Sequence, residues 1–271
     1  MKNLLTIAGS DSCGGAGIQA DLKTFSALGT YGMSVITAVT AQNTTGVFMV
    51  RELDVEMVAA QIRCIYEDIP VHGVKIGMVS SAAIIHTIAG CLKEKGAVHV
   101  VVDPVMVSKS KHKLLQPAAC DALAQELFPL AEVVTPNIPE AEAIINRPIG
   151  GLEEMKEAAR QIHSLGAANV MLKGGHLEGE EAVDVLYNGD EFVLFRGPRH
   201  FTRNTHGTGC TFSSAIAALL GRGYPLVQAV GRAKEYIHNA IAHSLELGQG
   251  AGPTHHFYEL YQRAGLHLDE E

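Results

Sequence analysis

The sequence contains no tryptophan, and it has no surplus of positive charge. Lysine and arginine together number 21 against 29 aspartates and glutamates, which gives a formal net charge of −8 at pH 7. Proteins that bind nucleic acid usually present a basic surface that neutralises phosphates, and anionic membranes attract the same kind of surface. We therefore expect neither nucleic acid nor a membrane as a partner of this chain.

Long hydrophobic runs are also missing. The longest apolar stretches have the length of a strand and fall well short of the roughly twenty residues that span a bilayer. The first residues, MKNLLTIAGSDS, reach Gly9 too soon for a secretory signal peptide. The five cysteines are scattered, without CxxC spacing or a cluster of histidines, which argues against a disulfide framework and against a zinc site. We expect a cytoplasmic protein.

No proline- or serine-rich linker and no internal repeat divides the chain, so we expect a single domain over residues 1–271. Short apolar runs predict strands at 4–8, 34–41, 73–78, 99–102, 132–135, 169–172, 182–187 and 192–196. Segments of helical periodicity predict helices at 17–28, 55–66, 82–95, 117–127, 139–145, 152–165, 210–221 and 227–247. This alternation predicts an α/β fold with a mostly parallel central sheet, and NGDE at 188–191 predicts a hairpin at its edge.

The stretch GTGCT at 207–211 places a cysteine between glycine-rich turns and the start of a helix. Glycines permit close approach of the backbone, and the N–H groups of Gly209, Cys210 and Thr211 would converge on an anion there. A thiol in the first helical turn lies in positive potential, which is expected to lower its pKa and favour a base or a nucleophile. The alternative is that Cys210 is a small buried residue beneath the turn.

A second glycine-rich stretch, AGSDSCGGAGIQADLKTF at 8–25, follows the first strand and opens a helix. It matches neither GxGxxG nor the Walker sequence, so it is not a dinucleotide or P-loop fingerprint. Its place at the carboxyl end of a strand is nevertheless where open α/β sheets bind ligands. Asp21, one turn into the helix, would accept a hydrogen bond from a substrate or, as the default alternative, be a solvated residue on the helix face.

Acidic and basic residues follow three further strands. Asp103 ends a very apolar strand, and another strand ends at Asn137, three residues before Glu140. Because Mg²⁺ usually takes one or two carboxylates together with water and phosphate oxygens, these residues predict a magnesium site. The alternative for Glu140 is a favourable interaction with the helix dipole. Lys173, in VMLKGGH, would meet nucleotide phosphates or else extend its ammonium group to solvent.

Taken together, these stretches resemble a known enzyme family. The segments that carry the resemblance are TIAGSDSCGGAGIQADLKTFSALG, ITAVTAQNTTGV, VKIGM, VVVDPVM, TPNIPEAE, MLKGGHL, NTHGTGCTFSSAIAA and GPTHHF. They resemble the hydroxymethylpyrimidine/phosphomethylpyrimidine kinases of thiamine biosynthesis, in the ribokinase superfamily, from about residue 4 to residue 257. The resemblance implies a three-layer α/β/α fold of about eight strands, usually dimeric, that uses ATP and Mg²⁺. It also implies phosphorylation of 4-amino-5-hydroxymethyl-2-methylpyrimidine and then of its monophosphate.

The resemblance also implies a role for each site residue. Residues implied in binding the pyrimidine are Gln42, Gly9, Ala16, Asp21, Met78 and Val105. Residues implied around Mg²⁺ and ATP are Asp103, Glu140 and Asn137 for the metal, and Lys173 and Lys234 for the nucleotide. Gly207, Thr208 and Gly209 would form the anion hole, and Cys210 would accept the proton of the hydroxymethyl group. Many sugar kinases of the superfamily have an aspartate where this chain has Cys210. Without the resemblance, Gln42 would be interpreted as a strand-end residue that bonds loop backbone.

Two functional alternatives stay open at this point. Related enzymes phosphorylate the hydroxymethyl group of vitamin B6 compounds, and some of them have a cysteine where this chain has Ser108, so the serine favours the pyrimidine enzyme. A catalytically silent nucleotide-binding regulator is less favoured, because each expected catalytic residue type is present. KSKHKLL at 109–115 would form either a flap over the phosphates or a solvated basic loop.

Overall fold

The computed structural model describes residues 1–106, 117–177, 179 and 181–266. Within these ranges nine strands form one sheet, in the order β3-β2-β1-β4-β5-β6-β7-β8-β9. The strands are β1 (Asn3–Ser10), β2 (Tyr31–Asn43), β3 (Gly46–Glu52), β4 (Val74–Ile76), β5 (Val100–Val102), β6 (Val133–Val134), β7 (Val170–Leu172), β8 (Glu181–Tyr187) and β9 (Phe192–Pro198). The predicted segments 109–115 and Ser108 lie outside the described residues.

Helices cover both faces of this sheet. They are α1 (Gly17–Ala27), α2 (Val55–Asp68), α3 (Ala82–Lys95), α4 (Pro117–Ala122), α5 (Ile138–Ile145), α6 (Leu152–His163), α7 (Thr208–Gly221), α8 (Leu226–Ala242) and α9 (Tyr258–Arg263). One apolar cluster packs α2, α3, α5 and α6 against one face, and a second packs α1, α7 and α8 against the other. The expected three-layer α/β/α fold is confirmed.

The central strands explain why the sheet is parallel there. Strands β2, β1, β4, β5, β6 and β7 pair in parallel, whereas β3, β8 and β9 pair antiparallel at the two edges. The middle strands VVV, VV and VML are entirely buried. Strands that are covered by helices on both faces need such continuous apolar sequence. The predicted hairpin is confirmed as β8 and β9.

Several details differ from the sequence prediction, and α9 is a helix that was not predicted. Strand β3 was not predicted, because an exposed edge strand lacks the continuous apolar run of a buried one. Helix α8 ends at Ala242 rather than at 247, because the chain turns back and the Leu245 N–H donates to Pro253 O. The predicted helix 117–127 continues from α4 as a π-helical turn over Leu123–Leu127. Among the described helices, none combines the length and the apolar character needed to span a membrane.

This topology brings distant polar residues to one edge of the sheet. Asp11 follows β1, Asp103 follows β5, Asn137 follows β6 and Lys173 follows β7. Parallel strands direct their carboxyl ends to the same edge, where ligands bind in open α/β sheets. The candidate site is therefore at this edge, with the first turn of α7 beside it.

Candidate functional site

A cavity of about 530 Å³ opens at the carboxyl edge of the sheet. Most residues that the sequence predicted for the site line it: Gly9, Ala16, Gln42, Met78, Asp103, Val105, Asn137, Glu140, Lys173, Gly207, Thr208, Gly209 and Cys210. They come from strand ends, loops and the first turns of α5 and α7, spread along the chain. The sequence therefore identified most of the cavity wall, while Asp21 and Lys234 lie elsewhere.

The turn before α7 has the geometry of an anion cradle. Gly207 has φ +79°, and a Cβ at this position would lie 1.7 Å from the carbonyl oxygen of Gly15. Only glycine satisfies both conditions. Helix α7 begins at Thr208, so the N–H groups of Gly209 and Cys210 lie in the first turn, where the helix provides no acceptor for them. These N–H groups and the helix dipole favour an anion in the cavity.

Cys210 does not have the low pKa that its helix position suggested. Burial raises the pKa of its thiol to about 11, and the carboxylates of Asp21 and Asp103 also raise it. Lys75 and a hydrogen bond from the Gly17 N–H act in the opposite direction but are outweighed. The expectation of a preformed thiolate was wrong, because desolvation exceeds the effect of the helix terminus here. At neutral pH the side chain is a thiol in this structure.

Asp103 and Lys173 form an ion pair in the floor of the cavity. Lys173 Nζ lies 2.9 Å from Asp103 Oδ1, and the Thr135 hydroxyl donates to the same oxygen at 3.2 Å. Burial acts to raise the pKa of Asp103, but Lys173 and Lys75 more than offset it and hold that pKa below its usual value. The pair thus provides an ionised carboxylate and a cation beside the anion cradle.

Glu140 is a nearly buried carboxyl group held in a capping box. The Asn137 N–H donates to Glu140 Oε2 at 2.8 Å, and the Glu140 N–H donates to Asn137 Oδ1 at 2.9 Å. Burial raises the pKa of Glu140 to about 7; Lys173 acts to lower it and Asp103 to raise it. A carboxylate desolvated in this way is stabilised by any cation that enters the cavity. Glu140 lies in the first turn of α5, as its alternative interpretation expected, and the capping box there was not predicted.

Asp21 does not line the cavity, and it is not solvated either. Its carboxylate is fully buried and pairs with Lys75, whose Nζ lies 2.9 Å from Oδ1. The hydroxyl groups of Thr6 and Ser214 also donate to it, at 2.5 and 2.6 Å. Both sequence interpretations are thus replaced by a buried ion pair. Lys75, inside an apolar strand, gave no sequence signal that it would provide the partner.

Lys234 lies in a second cavity of about 340 Å³. The two cavities share Asn137, Lys173, His176, Thr208 and Gly209. Lys234 Nζ lies 2.5 Å from Asp184 Oδ2, and Asp184 Oδ1 accepts from the Gly174 N–H. Phe212 of α7 and Ile237 and Ile241 of α8 form an apolar part of its wall, which suits a flat ring next to a phosphate site.

A pair of charged or titratable residues, Asp11 and His206, is among the cavity residues that the sequence reasoning missed. His206 Nε2 lies 2.8 Å from Asp11 Oδ2, and both residues line the main cavity. Asp11 lies in a glycine-rich stretch that has no recognised motif, and His206 immediately precedes GTGCT, whose glycines and cysteine gave the stronger sequence signal. Their 195-residue separation meant that only the fold could bring them together.

Comparison with known proteins identifies the family of this chain. The family model described as phosphomethylpyrimidine kinase matches residues 11–255. This chain belongs to that family. The hydroxymethylpyrimidine/phosphomethylpyrimidine kinase of Rhizobium meliloti strain 1021 is 55% identical over 261 residues, which cover 95% of this chain and 98% of the relative. The family resemblance noted in the sequence is therefore confirmed.

Solved structures show the same fold in phosphomethylpyrimidine and pyridoxal kinases. The phosphomethylpyrimidine kinase of Clostridium difficile 630 is 51% identical, with a TM-score of 0.80 over 89% of this chain and 100% of that chain. An ADP complex of Bacillus subtilis pyridoxal kinase is 43% identical, with a TM-score of 0.89 over 94% of this chain and 97% of that chain. The family fold thus accommodates both a pyrimidine kinase and a pyridoxal kinase.

Proposed function

We propose that this chain uses ATP to phosphorylate 4-amino-5-hydroxymethyl-2-methylpyrimidine and then its monophosphate, giving the diphosphate for thiamine biosynthesis. The observation that carries this proposal is the convergence of the anion cradle, Cys210 and the Asp103–Lys173 pair on a cavity that Gln42 also lines. Family membership and the names of the relatives support the same reaction. The 271 residues would act as one kinase domain.

The pyrimidine would lie between Gln42 and the apolar residues of the cavity. A carboxamide presents a donor and an acceptor in one plane, as an aminopyrimidine edge does. Gly9 is suited to a flat ring, because a Cβ there would meet the Met78 side chain at 2.3 Å and the cavity would narrow. Ala16 and Val105 would provide the remaining apolar contacts.

Mg²⁺ fits the oxygen donors of this cavity. Asp103 and Glu140 offer carboxylates, and the raised pKa of Glu140 indicates a desolvated group that a cation would stabilise. Asn137 would support the site by holding Glu140 in the capping box. The ion would neutralise charge on the nucleotide phosphates. Lys173, already beside Asp103, would contact the same phosphates.

ATP would extend from the cradle into the second cavity. Gly209 and Lys173 lie in both cavities, so a phosphate chain held there would lead the nucleoside towards Lys234. Because Asp184 already pairs with Lys234, we assign Lys234 to the wall of the nucleotide site rather than to the transferred phosphate. The ADP complex of the Bacillus subtilis relative supports a nucleotide in this family.

Cys210 would accept the proton of the hydroxymethyl group as its oxygen attacks the γ-phosphorus. The N–H groups of Gly209 and Cys210 would stabilise charge on the transferred phosphoryl group. Since the thiol has a pKa of about 11 without ligands, the thiolate must form in the assembled complex or exist as a minor population. The second acceptor is already an anionic phosphate, so it needs a base less than the first.

A vitamin B6 kinase is the second candidate function, because a pyridoxal kinase has the same fold at 43% identity. A flat pocket with few polar contacts discriminates weakly between related rings. Activity on pyridoxine or pyridoxal would then accompany the pyrimidine reaction.

One assay separates these functions. Hydroxymethylpyrimidine, its monophosphate, pyridoxine and pyridoxal are incubated separately with the protein, ATP and Mg²⁺, and the products are resolved by mass. Conversion of both pyrimidines to the diphosphate would support the proposal. Turnover of B6 compounds alone would make the protein a B6 kinase, and turnover of none would favour a regulator.

A homodimer would cover the exposed apolar residues of the β2–β3 edge. Phe48 and Met49 in β3 are 70% and 63% exposed, and Val39 in β2 is 48% exposed. An edge strand with such residues readily pairs with a second copy. Light scattering of the purified protein would show a dimer, and Phe48→Asp would shift it towards the monomer. A wild-type monomer at micromolar concentration would refute this assembly.

A further inference from the structure

Arg199 lines the second cavity, and the proposed function gives it no role. It directly follows β9, whose last residue, Pro198, pairs with Glu181, the first residue of β8. This pairing places Arg199 beside the β7–β8 loop, of which residues 173–177 and 179 are described. The loop begins with Lys173, a residue of both cavities. Arg199 is therefore in a position to influence the site through this loop.

The guanidinium group of Arg199 binds three backbone carbonyl groups of the β7–β8 loop. Its Nε donates to Gly179 O at 2.9 Å, and one Nη donates to Gly175 O at 2.8 Å. The other Nη donates to Leu177 O. Carbonyl groups from every second residue thus converge on one planar side chain. Arginine suits this task because it presents five N–H donors in a rigid fork, whereas lysine has one compact ammonium group on a flexible stem.

The beginning of the loop is fixed without Arg199. The Gly174 N–H donates to Asp184 Oδ1 at 2.8 Å, and the other carboxylate oxygen of Asp184 pairs with Lys234. A Cβ at Gly174 would lie 1.8 Å from Val183 O, so the backbone packs directly against β8 there. Loss of Arg199 should therefore release the loop beyond Gly174 and leave the sheet in place.

The part of the loop beyond Gly174 contributes to the wall of the second cavity. Gly175 and Arg199 line that cavity but are not among the described residues that line the main one, and His176 lines both. We assigned the second cavity to the nucleoside end of ATP and the main cavity to the pyrimidine. A displaced loop should consequently affect the nucleotide more than the pyrimidine.

We propose that Arg199 is a positioning residue for the nucleotide, because its fork fixes the β7–β8 loop in the shape that completes the second cavity. The inference rests on the proposed function, which places ATP there. Arg199 acts through the loop backbone and not as a point charge on a phosphate. A loop that is fixed in advance does not have to be ordered when the nucleotide binds, and such preorganisation increases affinity.

The test compares Arg199→Ala and Arg199→Lys with a matched control on the same strand. Arg196→Ala is the control, because Arg196 forms an exposed ion pair with Glu181 at 3.1 Å, three residues before Arg199. Calorimetry measures the affinity for ADP, and separately the affinity for hydroxymethylpyrimidine without nucleotide. Hydrogen exchange of the ligand-free protein reports on the loop, and thermal unfolding reports on the fold. KM for each substrate and kcat are measured separately.

We expect Arg199→Ala to accelerate hydrogen exchange in the β7–β8 loop and to raise KM for ATP. ADP affinity should fall roughly tenfold, the loss that results when about one molecule in ten retains the binding-competent loop. Arg199→Lys should lose about as much, because one ammonium group cannot bind the three carbonyl groups together. Pyrimidine affinity and kcat should change much less, and Arg196→Ala should resemble the wild type.

Three results would overturn the positioning role. Full ADP affinity in Arg199→Lys would show that the charge alone matters. Unchanged exchange of the loop in Arg199→Ala would show that Arg199 does not fix it. Equal losses of ADP and pyrimidine affinity would indicate a general effect on the fold. If Arg199→Ala does not fold, Arg199→Lys provides the same comparison with the wild type.

The inference and the proposed function fail in different ways. Loop exchange and ADP binding are measured without turnover, so they test Arg199 independently of the acceptor substrate. If the wild-type protein phosphorylates the pyrimidine but its loop is insensitive to Arg199, only the positioning role is refuted. If Arg199 controls the loop and ADP affinity but no pyrimidine is phosphorylated, only the proposed activity is refuted.

Discussion

Lys75 Nζ lies 2.9 Å from Asp21 Oδ1, and neither side chain is exposed to solvent. Asp21 belongs to α1 and Lys75 to β4, and the hydroxyl groups of Thr6 in β1 and Ser214 in α7 also donate to Asp21. Four elements are thus joined by one carboxylate. Because α7 also carries Cys210 in its first turn, the pair helps to fix the helix that forms the anion cradle.

Removing Lys75 should destabilise the protein strongly. Lys75→Met leaves the Asp21 charge buried without its cation, and breaking a buried pair in this way costs about 3–5 kcal/mol. Asp21→Asn combined with Lys75→Met removes both charges and should recover much of the loss. Urea unfolding of the three variants measures this. Equal destabilisation in the single and double variants would show that lost packing, not the unpaired charge, is responsible.

Cys210→Ser should affect the two phosphoryl transfers unequally. If Cys210 accepts the hydroxymethyl proton, the first transfer loses roughly 10²–10⁴-fold, which is the usual contribution of a positioned base. The second transfer should lose less, because its acceptor is already an anion. Single-turnover rates with each substrate measure the difference. Small and equal losses would exclude the base role.

The thiol of Cys210 should react slowly with alkylating agents at neutral pH. Burial raises the pKa of this thiol to about 11. Below that pH, each decrease of one pH unit lowers the thiolate fraction about tenfold, and the thiolate is the form that reacts. Iodoacetamide labelling followed by peptide mass spectrometry compares Cys210 with the exposed Cys64. We expect Cys64 to be labelled first at pH 7.5. Preferential labelling of Cys210 would instead indicate a thiolate in the resting protein.

Glu140 should make the folded protein less stable as the pH rises. Its pKa is near 4.5 when unfolded and about 7 when folded. The folded state therefore binds the additional proton between these values, and the stabilisation present below pH 4.5 is lost as the pH rises through 7. Glu140→Gln should be more stable relative to wild type at pH 8 than at pH 5, by on the order of 2–3 kcal/mol. The exposed Glu153→Gln is the control, and no pH dependence in the difference would contradict the raised pKa.

Gly207→Ala should disrupt the anion cradle. A methyl group there would meet the Gly15 carbonyl oxygen at 1.7 Å, and φ +79° is unfavourable for alanine. We expect the free energy of unfolding to fall by more than about 1 kcal/mol, because a residue that cannot adopt the native backbone conformation destabilises a protein by more than that amount. We also expect a large loss of activity. Gly90→Ala is the matched control, because its Cβ would meet nothing within 4 Å. Unchanged nucleotide affinity in Gly207→Ala would show that the turn does not hold phosphate.

Much of the site could be predicted because its residues follow strands in the sequence. Asp103, Asn137 and Lys173 each end an apolar run, and parallel strands necessarily direct these ends to one edge. The glycines of the GTGCT stretch predicted a turn at which backbone N–H groups bind an anion. Strand β3 could not be predicted in the same way, because an exposed edge strand lacks a continuous apolar pattern.

The sequence by itself determined three features: an α/β fold, a glycine-rich cradle before α7, and polar residues at the carboxyl edge of the sheet. Each follows from hydrophobic periodicity or from the residues that end the strands. Only the tertiary structure decided the partners and the charge states. Asp21, expected to be solvated or to bind substrate, is the buried partner of Lys75. Asp11 contacts His206, which is 195 residues away in the sequence. Burial then reversed the expected pKa shift of Cys210, because desolvation depends on every element packed around a group and no local pattern encodes it.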